Sequence, residues 1–422
     1  APVMPLLVSM ALPTTASQLV SVVYNTADTY FVSQISTSAS AAVGVVFSLM
    51  SIIQAFGYGV SMGATSLISR RLGAKKNEDA SKYASSAVAE ALAFGIVLLV
   101  VGLTFLEPLM RLLGSTETIL PHSMAYARYI LLGAPLLGAS FVLNSILRAE
   151  GEAVLAMWGL CSGGVLNVAL DPLFIFTFDM GIAGAAAATL VSQTVSFLVL
   201  AQFFIRKKSI VELHLCNVSR KLRDYLLILR MGLPTICRQG MASIASAALN
   251  IQAAVYGDAA VAAITIANKI YLLVRNIIIG IGQGFQPIAG YNYGAGDRKR
   301  VRAVFRASVL LGSIVCVVSA AGIALLAEPI LFWFRDDPEV VRLGVRALYF
   351  GCAVMPLMAY STYVNQLYQC LGFSTQATLL ACCRQGLCFL PLILTLPRVI
   401  GFVGVQLSQP GADFLTFAIS VP

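Results

Sequence analysis

Apolar stretches long enough to cross a bilayer follow one another along this chain, separated by short polar breaks. They fall at about 3 to 34, 40 to 69, 79 to 106, 119 to 147, 153 to 177, 181 to 205, 225 to 256, 259 to 293, 302 to 334, 340 to 371, 374 to 397 and 401 to 421. Each holds the roughly 20 apolar residues that a helix needs to span a hydrocarbon core of about 30 Å. The pattern predicts an all-α polytopic membrane protein with twelve transmembrane helices. Many of the spans exceed the minimum length, so the helices are expected to tilt or to project beyond the lipid.

The polar breaks differ in charge. Arg70, Arg71, Lys75, Lys76 and Lys82 follow span two; Arg206, Lys207, Lys208, Arg220, Lys221, Arg223 and Arg230 follow span six; Arg298, Lys299, Arg300, Arg302 and Arg306 follow span eight. The breaks after spans one, five and seven hold no Lys or Arg, and the one after span nine balances Arg335 with Asp336 and Asp337. Short cytoplasmic loops retain Lys and Arg. Both termini are therefore expected in the cytoplasm, with the protein in a bacterial inner (plasma) membrane.

The chain also repeats itself. ALPTTASQ from Ala11 resembles GLPTICRQ from Gly232, and LGAKKNED from Leu72 resembles YGAGDRKR from Tyr293, both pairs lying 221 positions apart. One offset shared by two places implies two homologous six-helix halves related by an axis along the membrane normal. The expected organisation is a first lobe over 1–205, a cytoplasmic linker over 206–224 and a second lobe over 225–422. Transporters use such symmetry to form a cleft between halves that rock against each other.

Composition narrows the function. Of 422 residues, 58% are hydrophobic and 11% charged, against about a quarter charged in soluble domains, which excludes a soluble fold. The net charge of +9 sits in short clusters between spans, so it marks topology and gives no nucleic-acid face. The nine cysteines have no metal-type spacing with the two histidines and read as apolar filler. The amino end starts inside the first span without a charged secretory leader and reads as trimmed.

LRAEG from Leu147, NVALDPLFIF from Asn167 and GIAGAAAATLVSQ from Gly181 closely resemble the multidrug and toxic compound extrusion (MATE) family. YNTADTYFVSQ from Tyr24, GYNYGAGD from Gly290 and GVQLSQPGADFLTF from Gly404 extend the resemblance, in family order, over nearly the whole chain. Among the branches it is most similar to the bacterial one of DNA-damage-inducible-type and staphylococcal-type exporters. The resemblance implies a V-shaped pair of lobes that exports organic amphiphiles in exchange for sodium ions or protons, and acts as a monomer.

Two acids stand out in the first lobe. Asp28 lies in span one and Asp171 in span five, where an ionised carboxylate costs at least about 2.5 to 3.5 kcal/mol. Such a pair either takes up a proton or ligates a hard cation. Asn167 lies one turn before Asp171 on the same helical face and adds a carbonyl oxygen. The resemblance places Tyr126, Asn144 and Thr189 around the same aspartates. These oxygens would suit Na⁺ at Asp28, Asp171, Asn167, Asn144 and Thr189, or a proton, and the residues leave that open. The alternative is structural: Asp171, followed by Pro172, would cap a broken helix while the asparagines join helices. Pro13 interrupts span one and implies a kink, and the resemblance makes it a hinge. Pro234 holds the equivalent place in the second half.

The second lobe lacks the acids that one branch of the family carries in spans seven and ten, where this chain reads CRQGMAS and YSTYVNQLYQ. Coupling is therefore expected only in the first lobe. Arg238, Lys269, Arg275 and Arg384 instead lie inside apolar spans there, a costly placement relieved by lining a cleft or by pairing. They, with Gln239, form a second candidate site on the substrate cavity, and at least two of the four cations are expected to face it. Glu90 is placed near the cytoplasmic end of span three, within reach of water, and GIGQG from Gly280 reads as close helix packing.

Three function classes compete. An enzyme fares worst, for want of a metal motif or a nucleophile with a base. An antiporter of small organic substrates, needing no cofactor beyond its transported H⁺ or Na⁺, fits best. The alternative is a flippase of lipid-linked precursors, to which a cationic cavity would be suited.

Overall fold

The computed structural model describes residues 1–421. Its first lobe holds helices α1 (Val3–Ser33), α2 (Thr37–Gly73), α3 (Asn77–Thr104), a short α4 (Leu106–Leu112), α5 (Leu120–Ala149), α6 (Ala153–Pro172) and α7 (Ile182–Ile205). The second holds α8 (Leu222–Ala254), α9 (Asp258–Gly294), α10 (Arg298–Phe334), α11 (Pro338–Leu371), α12 (Ser374–Cys382), α13 (Phe389–Ile400) and α14 (Phe402–Ser420). Wider π-helical turns extend α6 over Leu173–Thr177 and join α12 to α13 over Cys383–Cys388. The expected spans match these segments to within four residues at every end.

Ten segments are long and apolar enough to cross a membrane. The two that fall short, α8 and α14, carry Arg238 on the one and Gln406, Gln409 and Asp413 on the other. Their lower hydropathy reflects polar groups turned into the protein. α1 runs unbroken through Pro13, whose ring leaves the Ser9 carbonyl without its helical amide partner.

The lobes meet at the end bearing the basic loops. There Leu7 and Met10 of α1 pack with Phe285 and Ile288 of α9, Val304 of α10 and Cys370 of α11. Glycines let the backbones touch. A Cβ added at Gly59 or Gly63 would run into Ile236 or the Ile228 carbonyl, and one added at Gly280 or Gly284 into Thr15 or Ala11. The seam obeys the repeat: Gly73 faces the Tyr291 carbonyl while Gly294 faces that of Arg70, each pair offset by 221. The GIGQG stretch does serve helix packing, as its sequence suggested. Among the described residues the hydrogen bonds between lobes all fall in this half, including Thr14 to the Gly280 carbonyl (2.7 Å), Ser66 to that of Gln369 (2.9 Å) and Arg148 Nη1 to Gln283 Oε1 (2.9 Å). At the opposite end α1 and α8 expose Asn25, Thr26, Ser243 and Ala247. The molecule is a V closed at its basic end.

The linker is tied down along its length. Glu150 Oε1 accepts from Ser209 Oγ (2.6 Å) and the Val211 amide (2.8 Å), and Ser81 and Ser86 of α3 accept from the amides of Glu212 (3.1 Å) and Ser219 (2.9 Å). Lys82 Nζ then meets Asp224 Oδ2 at 2.7 Å in the first turn of α8.

Candidate functional site

Four helices bring the first-lobe residues together in the half away from the seam. Tyr126, buried near the start of α5, donates to Asp28 Oδ2 of α1 at 3.2 Å. On α6, Asn167 Nδ2 lies 3.5 Å from Asp171 Oδ1 and 3.3 Å from Thr189 Oγ1 of α7, placing the Asn one turn before the acid as the spacing suggested. Thr189 passes its own proton to the Ala185 carbonyl at 3.1 Å. Asp171 is 0% exposed, and Asp28 is part-exposed at the edge of the group.

The accounting of lone pairs gives the cluster its chemical character. Asp28 Oδ1, Asp171 Oδ2 and Asn167 Oδ1 are shut from solvent and accept no hydrogen bond. Buried polar atoms are ordinarily satisfied, and each orphan costs about 1–3 kcal/mol. Three unmet acceptors on neighbouring side chains, two of them carboxylate, are a donor set for a proton or for a hard cation, which takes oxygen ligands. The helix also continues through Pro172 into the π turn, so Asp171 does not cap a broken end.

Asn144 is not part of this cluster. It lies 18 residues beyond Tyr126 on α5, about 27 Å of helix rise, and its amide binds the Ala156 carbonyl at 2.8 Å. Asn365, its counterpart in the repeat, binds the Ala377 carbonyl at 2.6 Å, in a lobe with no such acid pair beside it. The bond that both copies keep joins consecutive helices.

In the second lobe, Arg384 sits on the π turn, where the wider spiral alters its facing. Its Nε lies 2.6 Å from Asp413 Oδ1 of α14. Tyr271 of α9 donates to Asp413 Oδ2, and Gln409 Nε2 reaches Oδ1 at 3.3 Å. Arg238 and Arg275 lie near enough to Arg384 for their charges to repel it and each other. Lys269 stands apart, exposed and unpaired among the described residues, and the Gln239 side chain makes no hydrogen bond there. Three of the four expected cations thus converge inside the lobe.

The stretches of spans seven and ten do lack acids, but Asp413 supplies one in span twelve that the sequence reading did not single out. It is 3% exposed, in the last span, inside a motif already quoted for the resemblance. The signal that singled out Asp28, a carboxylate in an apolar span, applied to it equally. Glu90, 13 residues into α3, is part-exposed, with its Oε2 shut from solvent and without a partner.

A family model described as MatE matches residues 13–173 and again 234–394, two stretches whose starts are both proline and lie 221 apart. The multidrug export protein MepA of Staphylococcus aureus (strain bovine RF122 / ET3-1) is 25% identical over 416 residues, covering 98% of this chain and 92% of that one. A crystal structure of MATE in complex with MaL6 is similar with a TM-score of 0.95 at 26% identity, covering 100% of this chain and 95% of that one. A structure described as the outward-facing conformation of a multidrug resistance MATE family transporter of the MOP superfamily gives a TM-score of 0.93 at 26% identity, with coverage of 100% and 96%.

Proposed function

The chain belongs to the MatE family of multi-pass membrane transporters, and from that premise we propose that it is a secondary antiporter that exports small organic amphiphiles in exchange for inward H⁺ or Na⁺. The observation that carries the reading is the trio of unmet oxygens on Asp28, Asp171 and Asn167. A Na⁺ taken up there would draw on all three oxygens, whereas a proton would bind one carboxylate and donate to one further acceptor; either lowers the cost of holding two carboxylates together. Tyr126 and Thr189 orient the acceptors, and no cofactor takes part.

Basic loops mark the cytoplasmic side, which puts both termini inside the cell and the open mouth of the V outside. In this arrangement the described state faces outward, ready to release substrate and load the ion. The ion's entry into the first lobe then favours parting of the seam, and alternating access follows. A charge moving inward through 100 mV supplies about 2.3 kcal/mol, enough to bias a two-state cycle well over tenfold. Pro13, eleven residues in from the start of α1 and beside the seam, is the place where that helix yields, because its missing amide leaves a carbonyl free. The closed seam and the two lobes of one chain make a complete cleft, so a monomer is the working unit, in a bacterial inner membrane.

Reconstituted in liposomes, the protein should drive efflux of an organic substrate under a proton gradient or a sodium gradient, and the comparison assigns the ion. Asp28→Asn should abolish uphill transport while leaving the thermal transition in detergent within a few degrees of wild type. Unimpaired uphill transport by that variant refutes the assignment of the cluster.

A further inference from the structure

The second lobe holds a charged group that the coupling cycle does not use. Arg238 and Arg275 stand near Arg384, which alone pairs with the carboxylate of Asp413, and this leaves two cations in excess. Among the described residues neither Arg238 nor Arg275 finds an acidic partner or any side-chain hydrogen bond, and none of their nitrogens is sealed from solvent. By contrast Arg384 Nη1 is buried and unpartnered, although its Nε is held by Asp413. Guanidinium groups in an apolar span are costly unless met, so this arrangement is built to receive negative charge from outside the chain.

Position supports that use. Arg238 stands two residues past Ile236, which packs at Gly59, and Arg275 stands five residues before Gly280, which packs at Thr15. Both therefore lie just above the closed seam, at the floor of the V. In the repeat they correspond to Ser17 and Gln54, neutral residues of the first lobe. The positive charge belongs to this lobe alone.

An apolar pocket adjoins the cluster. Leu249, Ile264, Ile323 and Met355 wall it, and Tyr271 and Gln409, both bonded to Asp413, form its polar edge. Three of its lining residues, Leu249, Ala347 and Gln409, are the repeat counterparts of Asp28, Tyr126 and Thr189, the last through the aligned turns at Gly181 and Gly401. Where one lobe keeps its acid cluster, the other has an oily chamber beside spare arginines.

We propose that this lobe binds an organic acid: a carboxylate held by Arg238 and Arg275, with its apolar body in the chamber beside Tyr271. Asp413 is the resident anion that the ligand partly replaces at Arg384. The assignment rests on the exporter reading for the word substrate, but the binding itself needs no gradient. It sets the substrate class apart from organic cations.

The test is equilibrium binding to the full chain in nanodiscs of phosphatidylcholine, using 2-naphthoate, neutral 2-naphthamide and cationic 2-naphthylmethylammonium. Naphthoate should bind at least about tenfold more tightly than the other two, and Arg275→Gln and Arg238→Gln should each remove most of that preference. Asp413→Asn should tighten naphthoate, the opposite of what a structural lesion does. Asp28→Asn should stop transport while naphthoate stays the preferred probe over the amide and the ammonium, so loss of the coupling reading and loss of this one are told apart. Equal affinity for the three probes, or weaker naphthoate binding in Asp413→Asn, overturns the proposal. Displacement of naphthoate by added phosphatidylglycerol would assign the arginines to a lipid headgroup and overturn the free-acid reading.

Discussion

Alanine at both Gly73 and Gly294 should force the basic end of the V apart. A Cβ at Gly73 would lie 1.9 Å from the Tyr291 carbonyl oxygen and one at Gly294 2.0 Å from that of Arg70, against the 3.0 Å that real Cβ contacts respect. Both obstacles are backbone, so neither can rotate away, and α2 and α9 must separate locally by about 1 Å in a region packed to crystal density. Overpacking of this kind costs about 1–3 kcal/mol, and the whole cost falls on the closed seam. The gain in helix propensity from Gly to Ala, about 1 kcal/mol, is shared by both states and cancels. The closed population should therefore fall by roughly 5- to 150-fold relative to the open one. Spin labels report this directly, in a background where solvent-reachable thiols are serine: one pair at Lys207 and Arg302 on the basic side, one at Ser36 and Asp258 on the other. The first distance should lengthen and the second shorten. Gly44→Ala and Gly322→Ala, where an added Cβ meets nothing within 4 Å, are the controls and should change neither. Wild-type distances at both pairs in the folded double variant would mean that the glycines do not set the seam, and would refute the reasoning.

Asn144→Ala and Asn365→Ala should each lower stability by about 1–2 kcal/mol by freeing a backbone carbonyl, as read by thermal unfolding in detergent. Neither should change the ion-to-substrate ratio from reversal potentials, and a changed ratio in Asn144→Ala would return that residue to the coupling site. Gln283→Ala strips Arg148 of its partner across the lobes and should cost about 1.5–3 kcal/mol, visible as a lower thermal transition and a longer Lys207–Arg302 distance. Glu90→Gln removes the charge from a carboxylate whose Oε2 is buried and unmet, so its unfolding transition should be equal to or higher than wild type. A clear drop would show that the acid is paired after all.

Most of the architecture was legible because the membrane imposes a minimum apolar length on every span, and because the repeat printed the same offset at Pro13 and Pro234. The π turns were not legible, since the wider spiral leaves the hydropathy of Cys383–Cys388 unchanged while altering where Arg384 points. Of the six residues grouped around the aspartates, five do meet, because Asp28, Tyr126, Asn167, Asp171 and Thr189 all lie toward the same ends of their helices. Asn144 failed on a matter of height: helix rise along α5 carries it to the opposite half. Asp413, a carboxylate in an apolar span, carries the same sequence signal as Asp28, but it lies outside the two stretches where the family resemblance directs the comparison of acids. The asymmetry of charge between lobes was readable only as a list of arginines, and it took the fold to show that three of them lie together while only Arg384 pairs with a carboxylate.

The fastened linker changes what kind of joint connects the halves. Past the Ser219 amide only Arg220 and Lys221 remain before α8, and Lys82 holds Asp224 within that helix's opening turn. The leading end of α8 thus travels with α3 as freight of the first lobe, and a rotation between lobes cannot be absorbed in slack chain. It falls on the interior of α8, where Pro234 supplies one missing rung. Amide exchange at Leu233 to Arg238 that quickens during turnover, with Leu222 to Leu227 unchanged, would locate the bend there. On this view the molecule is a leaf spring with its clamp at the end bearing the basic loops, and Pro234 is its flexing point.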